Sequence, residues 1–124
     1  MNSISSGLGG VNSMRGSPQD KRGTVCPMLL PSDPASEYPP ITISGREVII
    51  GKQPSLVDEV IPSDAISGIH ARIYEKEGCY YINDMGSKNG TFVDGKPVVG
   101  REEAPLTEGT RVSLADIRYM FTMR

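Results

Sequence analysis

The sequence predicts an all-β fold, an antiparallel β-sandwich preceded by a flexible N-terminal tail. Short runs rich in β-branched and aromatic residues alternate with turn residues from residue 41 onward, and no stretch of about ten residues shows helical periodicity. Fourteen glycines and ten prolines supply the turns. Several short strands separated by frequent turns are typical of two packed sheets rather than of a helical bundle.

The first 40 residues differ in composition from the rest and predict the tail. They are rich in Ser, Gly, Pro and Asn, end in Tyr38-Pro39-Pro40, and contain one modestly apolar run, residues 25–30. Residues 14–17 read Met-Arg-Gly-Ser, which resembles an expression-vector remnant. Thr24 lies beside the basic pair Lys21-Arg22 and is a candidate phosphorylation site. We therefore expect a tail over residues 1–40 and one domain over residues 41–124.

Within the domain, we predict eight strands: residues 41–43, 47–50, 71–75, 80–83, 91–93, 97–99, 111–114 and 117–122. Turn pairs separate several of them, at residues 77–78, 89–90, 94–95 and 108–109. The large apolar side chains on these strands are the candidate core: Ile73, Tyr81, Phe92, Val112, Leu114, Tyr119 and Phe121.

Charge and hydropathy exclude several classes of function. Thirteen basic and fifteen acidic residues give a net charge of −2, without the basic excess that neutralises nucleic-acid phosphates. No apolar run approaches the roughly 20 residues that span a bilayer, and the N-terminus lacks the pattern of a signal peptide. We expect a cytoplasmic protein that binds neither nucleic acid nor membrane. The sequence leaves the oligomeric state open, with a monomer as the simplest expectation.

The chain has few residues that could bind a metal or form a disulfide. Cys26, Cys79 and the single His70 cannot supply a four-ligand zinc site from Cys and His alone. A reducing compartment would keep both thiols free. We therefore expect no metal, no cofactor and no structural disulfide.

Three short motifs combine turn-forming glycines with hydrogen-bond donors. They are Gly51-Lys52, the segment from Ser67 to His70, and Ser87-Lys88-Asn89-Gly90-Thr91. An ammonium, a hydroxyl and an amide are donors that a phosphorylated peptide would need. Each motif has a simpler interpretation: a solvated strand-end lysine, a buried histidine, and an Asn-Gly hairpin turn.

In their order and spacing the motifs resemble the forkhead-associated (FHA) family, a phosphothreonine-peptide-binding module, over about residues 41–124. The resemblance implies that the Ser67 hydroxyl donates to the phosphate, that Asn89 fixes the peptide backbone, and that His70 holds Ser67 in place. It implies a phosphothreonine-containing peptide or protein as the partner. The implied binding residues are Lys52, Ser67, Gly68, Ser87, Lys88 and Asn89, with Gly51, His70 and Gly90 as structural support.

Two positions depart from the family pattern. Lys52 replaces an arginine and retains the charge without the planar fork that binds phosphate through two parallel hydrogen bonds. Gly68 replaces a side chain that is often polar. These departures leave a second hypothesis open, a degenerate FHA domain that acts as a phospho-independent interaction scaffold.

An enzyme is the third class considered, and the sequence argues against it. The spacing from Gly45 to Gly51 does not match a nucleotide-binding P-loop, and no Gly-x-Ser-x-Gly element accompanies Ser67 and His70. An acidic loop contains Asp58, Glu59 and Asp64, which we interpret as solvated or as selecting basic peptide residues.

Overall fold

A computed structural model describes residues 26–123 and shows eleven strands without a helix in that range. In chain order the strands are β1 (Pro27–Pro31), β2 (Ile41–Thr42), β3 (Glu47–Gly51), β4 (Glu59–Val60), β5 (Ala71–Lys76), β6 (Cys79–Asp84), β7 (Thr91–Val93), β8 (Lys96–Pro97), β9 (Ala104–Leu106), β10 (Arg111–Leu114) and β11 (Ile117–Met123).

The strands form two sheets. The six-stranded sheet has the order β2-β1-β11-β10-β7-β8, and the five-stranded sheet has the order β4-β3-β5-β6-β9. Every pairing is antiparallel except that of β3 with the short β4. The predicted antiparallel β-sandwich is confirmed, with this one parallel exception.

The N-terminal boundary of the domain differs from the prediction. β1 pairs along its whole length with β11, and Leu29 is fully buried opposite Phe121. Residues 27–31 therefore belong to the sandwich rather than to the tail. Their sequence signal is weak because a proline stands at each end of the strand. Residues 1–25 of the predicted tail, which include the vector-like segment and Thr24, lie outside the described residues.

Besides β1, two strands have no counterpart among the predictions, and one is shifted. β4 and β9 contain two and three residues, too few to show an alternating pattern. β8 comprises Lys96–Pro97 rather than residues 97–99. Glu77-Gly78 and Asp94-Gly95 do close two-residue hairpins with positive φ at both positions. Asn89-Gly90 instead lies in the connection from the five-stranded to the six-stranded sheet.

The core lies between the two sheets. Five of the predicted core residues are buried: Ile73, Val112, Leu114, Tyr119 and Phe121. Tyr81 and Phe92 are only half-buried, so their assignment to the core was wrong. Tyr81 alternates with the fully buried Ile82 and stacks on Tyr74 with ring centroids 5.9 Å apart. Cys26 and Cys79 are exposed free thiols.

Candidate functional site

The loop after β3 and the loop before β5 are joined backbone to backbone. The Lys52 amide donates to the Ser67 carbonyl at 3.0 Å, and the Gln53 amide donates to the Gly68 carbonyl at 3.1 Å. A Cβ atom at Gly51 would lie 2.2 Å from the Gly68 carbonyl oxygen, so only glycine permits this approach. At Gly68 a Cβ atom would meet its nearest neighbour at 3.6 Å, so that position has room for a side chain.

His70 connects the same loop to the one that follows β6. Its ring is fully buried, its Nδ1 accepts from the Ser67 amide at 3.1 Å, and its Nε2 lies 2.9 Å from the Gly90 carbonyl. Because Nδ1 accepts from an amide, the network assigns the ring hydrogen to Nε2, which donates to Gly90. Both ring nitrogens therefore bond to the backbone, and the ring holds Ser67 and Gly90 at a fixed separation.

Asp84 organises the loop after β6. Its carboxylate accepts from the Ser87 hydroxyl at 2.5 Å, from the Thr91 hydroxyl at 2.7 Å, and from the amides of Gly86 and Ser87 at 3.0 Å each. Burial raises the pKa of Asp84, but the hydrogen bonds from Ser87 and Thr91 outweigh it and hold the pKa below its ordinary value. No role was predicted for Asp84 from the sequence. Its carboxylate accepts from the amide two residues on, an Asx-turn that aspartate commonly forms.

Ser87 faces the interior of this loop rather than a ligand. Its hydroxyl donates to Asp84 and accepts from the Gly90 amide at 3.0 Å. The single hydroxyl hydrogen is therefore used within the protein. These bonds support the loop, and a contact of Ser87 with a peptide stays a prediction.

Ser67 and Asn89 hold the two loops together while retaining capacity for a ligand. The Ser67 hydroxyl oxygen accepts from the Lys88 amide at 2.9 Å, which leaves the hydroxyl hydrogen available for donation. The Asn89 side-chain amide donates to the Ala65 carbonyl at 2.8 Å and keeps its carbonyl oxygen and second N–H. Asn89 is exposed and Ser67 is half-buried, so both polar groups lie near solvent.

Two lysines and one carboxylate set the charge of this region. The Lys52 ammonium lies 2.7 Å from a carboxylate oxygen of Asp64, and Lys88 is exposed. The hydrogen bond and charge of Lys52 lower the pKa of Asp64. Of the predicted acidic loop, Asp58 accepts from the Ile49 amide at 2.9 Å, so one carboxylate supports the fold and another pairs with a candidate binding residue.

Two neighbouring depressions lie beside Asn89. A shallow depression of about 320 Å³ is lined by Ala65, Asn89, Ala115 and Asp116. A cavity of about 390 Å³, which the segment after β1 also lines, shares Ala65 and Asp116 with it. An extended peptide could therefore lie beside Asn89 without a deep pocket.

Residues 26–123 contain neither a cluster of potential metal ligands nor a membrane-spanning helix. No group of three or more potential metal ligands comes together in this range. Nor does the same part of the chain contain a helix long and apolar enough to cross a bilayer.

Comparison with known proteins identifies relatives over this part of the chain. A family model described as the FHA domain matches residues 45–115. FHA domain-containing protein FhaB of Mycolicibacterium smegmatis is 29% identical in an alignment of 76 residues that covers 56% of this chain and 49% of FhaB. The chain thus spans about half the length of this relative.

Solved structures agree with the family match. The FHA domain of CT664 from Chlamydia trachomatis superposes with a TM-score of 0.63 at 25% identity, covering 79% of this chain and 95% of that domain. Mycobacterium tuberculosis EmbR, solved with a low-affinity phosphopeptide, superposes with a TM-score of 0.67 at 26% identity, covering 78% of this chain and 24% of EmbR. Since the family model also matches more than half of the sequence, the chain belongs to the FHA domain family.

Proposed function

We propose that this protein binds phosphothreonine-containing peptides or proteins through three loops, residues 52–58, 61–70 and 85–90, termed here the phosphate loops. The observation that carries the proposal is the network that joins them. His70 bonds to Ser67 and Gly90, and Asn89 bonds to Ala65. The donors are thereby positioned before a ligand arrives, so little ordering entropy opposes binding.

The chemistry of these donors suits a phosphate monoester. A phosphothreonine carries about −1.5 to −2 charges at neutral pH and three strong acceptor oxygens. The Ser67 hydroxyl can donate to one oxygen, and the ammonium groups of Lys52 and Lys88 supply charge. Asn89 retains polar atoms that can bond to the peptide backbone.

The similarity to EmbR, which was solved with a low-affinity phosphopeptide, supports phosphopeptide binding by this chain. In this proposal the depression beside Asn89 accommodates peptide residues next to the phosphothreonine. Cytoplasmic localisation and a monomeric state remain predictions from the sequence.

Binding rather than catalysis is the activity that the geometry favours. His70 bonds to the amide of Ser67, not to its hydroxyl, and its other nitrogen bonds to Gly90. A buried ring with both nitrogens bonded to the backbone is poorly placed to activate a serine nucleophile.

Phospho-independent scaffolding is the alternative, and two observations favour it. The ion pair with Asp64 already satisfies part of the charge of Lys52, and Gly68 contributes no side-chain donor. Both features lower the affinity for phosphate. They leave the hydroxyl of Ser67 and the side chain of Asn89 in place.

Peptide binding to site variants separates these functions. We expect Ser67→Ala to weaken binding of library-selected phosphothreonine peptides about ten- to a hundredfold, as loss of a charge-assisted hydrogen bond predicts. Asn89→Ala should weaken it about two- to tenfold, as loss of a hydrogen bond to the neutral peptide backbone predicts. Lys52→Ala should weaken it several-fold, and Lys52→Arg should preserve or improve it.

Glu77→Gln is a suitable control because Glu77 lies in the β5–β6 hairpin, at the end of those strands away from His70. Unchanged affinity in both the Ser67 and the Asn89 variants would refute the site. Equal affinity for phosphorylated and unphosphorylated peptides in the parent protein would support the scaffold instead.

A further inference from the structure

We propose that Asp64 is an internal competitor for the phosphate group, a carboxylate that occupies Lys52 in the free protein and lowers its affinity for phosphopeptides. This inference rests on the proposed function. It concerns a residue outside the recognised motifs, since Asp64 precedes the Ser67 motif and pairs with a lysine on a different loop.

The geometry makes Asp64 a direct rival of the ligand. Its oxygen lies 2.7 Å from the Lys52 ammonium, a normal distance for a charge-assisted hydrogen bond. Asp64 directly precedes Ala65, whose carbonyl receives the Asn89 side chain, and the amide of Lys52 bonds to Ser67. The carboxylate is therefore held next to the residues that would donate to the phosphate, through its bond to Lys52 and its chain neighbour Ala65.

The exposure of the two partners shows that the pair can be exchanged. The Asp64 side chain is fully exposed, and that of Lys52 retains 46% of its exposure. A carboxylate in solvent can rotate away from the lysine without leaving a buried charge unpaired. Surface pairs of this kind contribute little to stability because water and salt screen them.

Charge determines the direction of the effect. A phosphothreonine that reaches Lys52 must displace the Asp64 carboxylate from it. The displaced carboxylate stays close and repels the negatively charged phosphate. Both consequences lower phosphopeptide affinity. Removal of the carboxylate should leave the Lys52 ammonium without its partner and should strengthen binding.

A different role for Asp64 predicts the opposite result. If the carboxylate served to hold Lys52 in the orientation that binds phosphate, its removal would loosen the lysine and weaken binding. The sign of the change therefore distinguishes competition from positioning.

The test is the affinity of Asp64→Asn for the strongest peptide selected from a degenerate phosphothreonine library. We expect the affinity to increase roughly two- to fivefold, because that is the change that freeing Lys52 from a surface ion pair would produce. Glu77→Gln changes the net charge by the same amount at a distant hairpin, and its affinity should stay within about 1.5-fold of the parent, because screening acts over about 8 Å.

Two further measurements show that Lys52 mediates the gain. In a Lys52→Ala background, Asp64→Asn should give a smaller increase, because no ammonium is left to release. The affinity of Asp64→Asn should also fall more steeply with added salt than that of the parent, because its site has one more net positive charge.

Unchanged or weaker binding by Asp64→Asn would overturn the proposal, as would an equal gain in the Lys52→Ala background. These outcomes differ from failure of the proposed function. In that case the parent protein would bind the phosphorylated and unphosphorylated peptides equally well.

Discussion

Replacing His70 by alanine tests whether the ring holds the phosphate loops together. The substitution removes the acceptor of the Ser67 amide and the donor to the Gly90 carbonyl. Gly90 keeps a second partner, because the Ala115 amide donates to the same oxygen at 2.9 Å. The Ser67 amide loses the ring nitrogen to which it donates.

The expected loss of stability has two sources, the unsatisfied Ser67 amide and the cavity that the ring leaves. One unsatisfied amide costs about 1–3 kcal/mol, and truncating a fully buried side chain adds a cavity cost, for a total of about 2–4 kcal/mol. For a domain of this size each kcal/mol lowers the thermal midpoint by about 4–8 °C, so a decrease of about 10–30 °C is expected. Phosphopeptide affinity should fall as well, because Ser67 is no longer held.

Thermal unfolding followed by circular dichroism measures the decrease in the thermal midpoint, and Lys88→Ala is the matched control. Lys88 lies in the loop on which His70 acts, but its side chain is exposed, so its removal should leave the midpoint nearly unchanged. If His70→Ala kept the parent midpoint while abolishing binding, the ring would contact the ligand directly, and the supporting role assigned to it would be refuted.

Three further substitutions test other parts of the structure. Gly51→Ala should destabilise the domain by at least about 2 kcal/mol because its Cβ would lie 2.2 Å from a backbone oxygen. Gly68→Ala, where the added Cβ has room, should change stability by less than about 0.5 kcal/mol. Equal effects of the two substitutions in urea unfolding would contradict the close approach at Gly51. Glu77→Asn should stabilise by about 0.5–1 kcal/mol, because asparagine tolerates the positive φ of 54° better, and an unchanged urea midpoint would argue against backbone strain. Asp84→Asn should lower the free energy of unfolding by about 1–2 kcal/mol at pH 7. Because the pKa of Asp84 in the folded protein lies below its ordinary value of 3.8, the difference from the parent should be complete above pH 3.8 and should shrink as the pH falls below it. A difference in stability that persists at low pH would exclude the charge of Asp84 as its source.

The sequence allowed much of the fold to be predicted because strand patterns and turn residues are local signals. Ile73, Val112 and Phe121 were recognisable from their place in apolar runs, and Glu77-Gly78 from its turn chemistry. β1 was missed because two prolines frame a strand with one fully buried side chain, Leu29. Its place in the sheet depends on β11, which follows about 90 residues later.

The candidate site divides in the same way between local and distant contacts. The motifs containing Ser67, His70 and Asn89 are continuous in sequence, so their order could be recognised. The pairing of Lys52 with Asp64, twelve residues away, could not, because it depends on how two loops fold against each other. The need for glycine at position 51 likewise arises from a close approach of Gly68 that no local pattern encodes.

The most direct test of the central claim is a comparison of amide chemical shifts of the protein during titration with one peptide in its phosphorylated and unphosphorylated forms. We predict that the phosphorylated form shifts the amides of Lys52, Ser67, Lys88 and Asn89 and leaves the β5–β6 hairpin at Glu77 unchanged, while the unphosphorylated form shifts none of them. Equal shifts with both forms, or shifts confined to another surface, would contradict phosphothreonine binding by these loops.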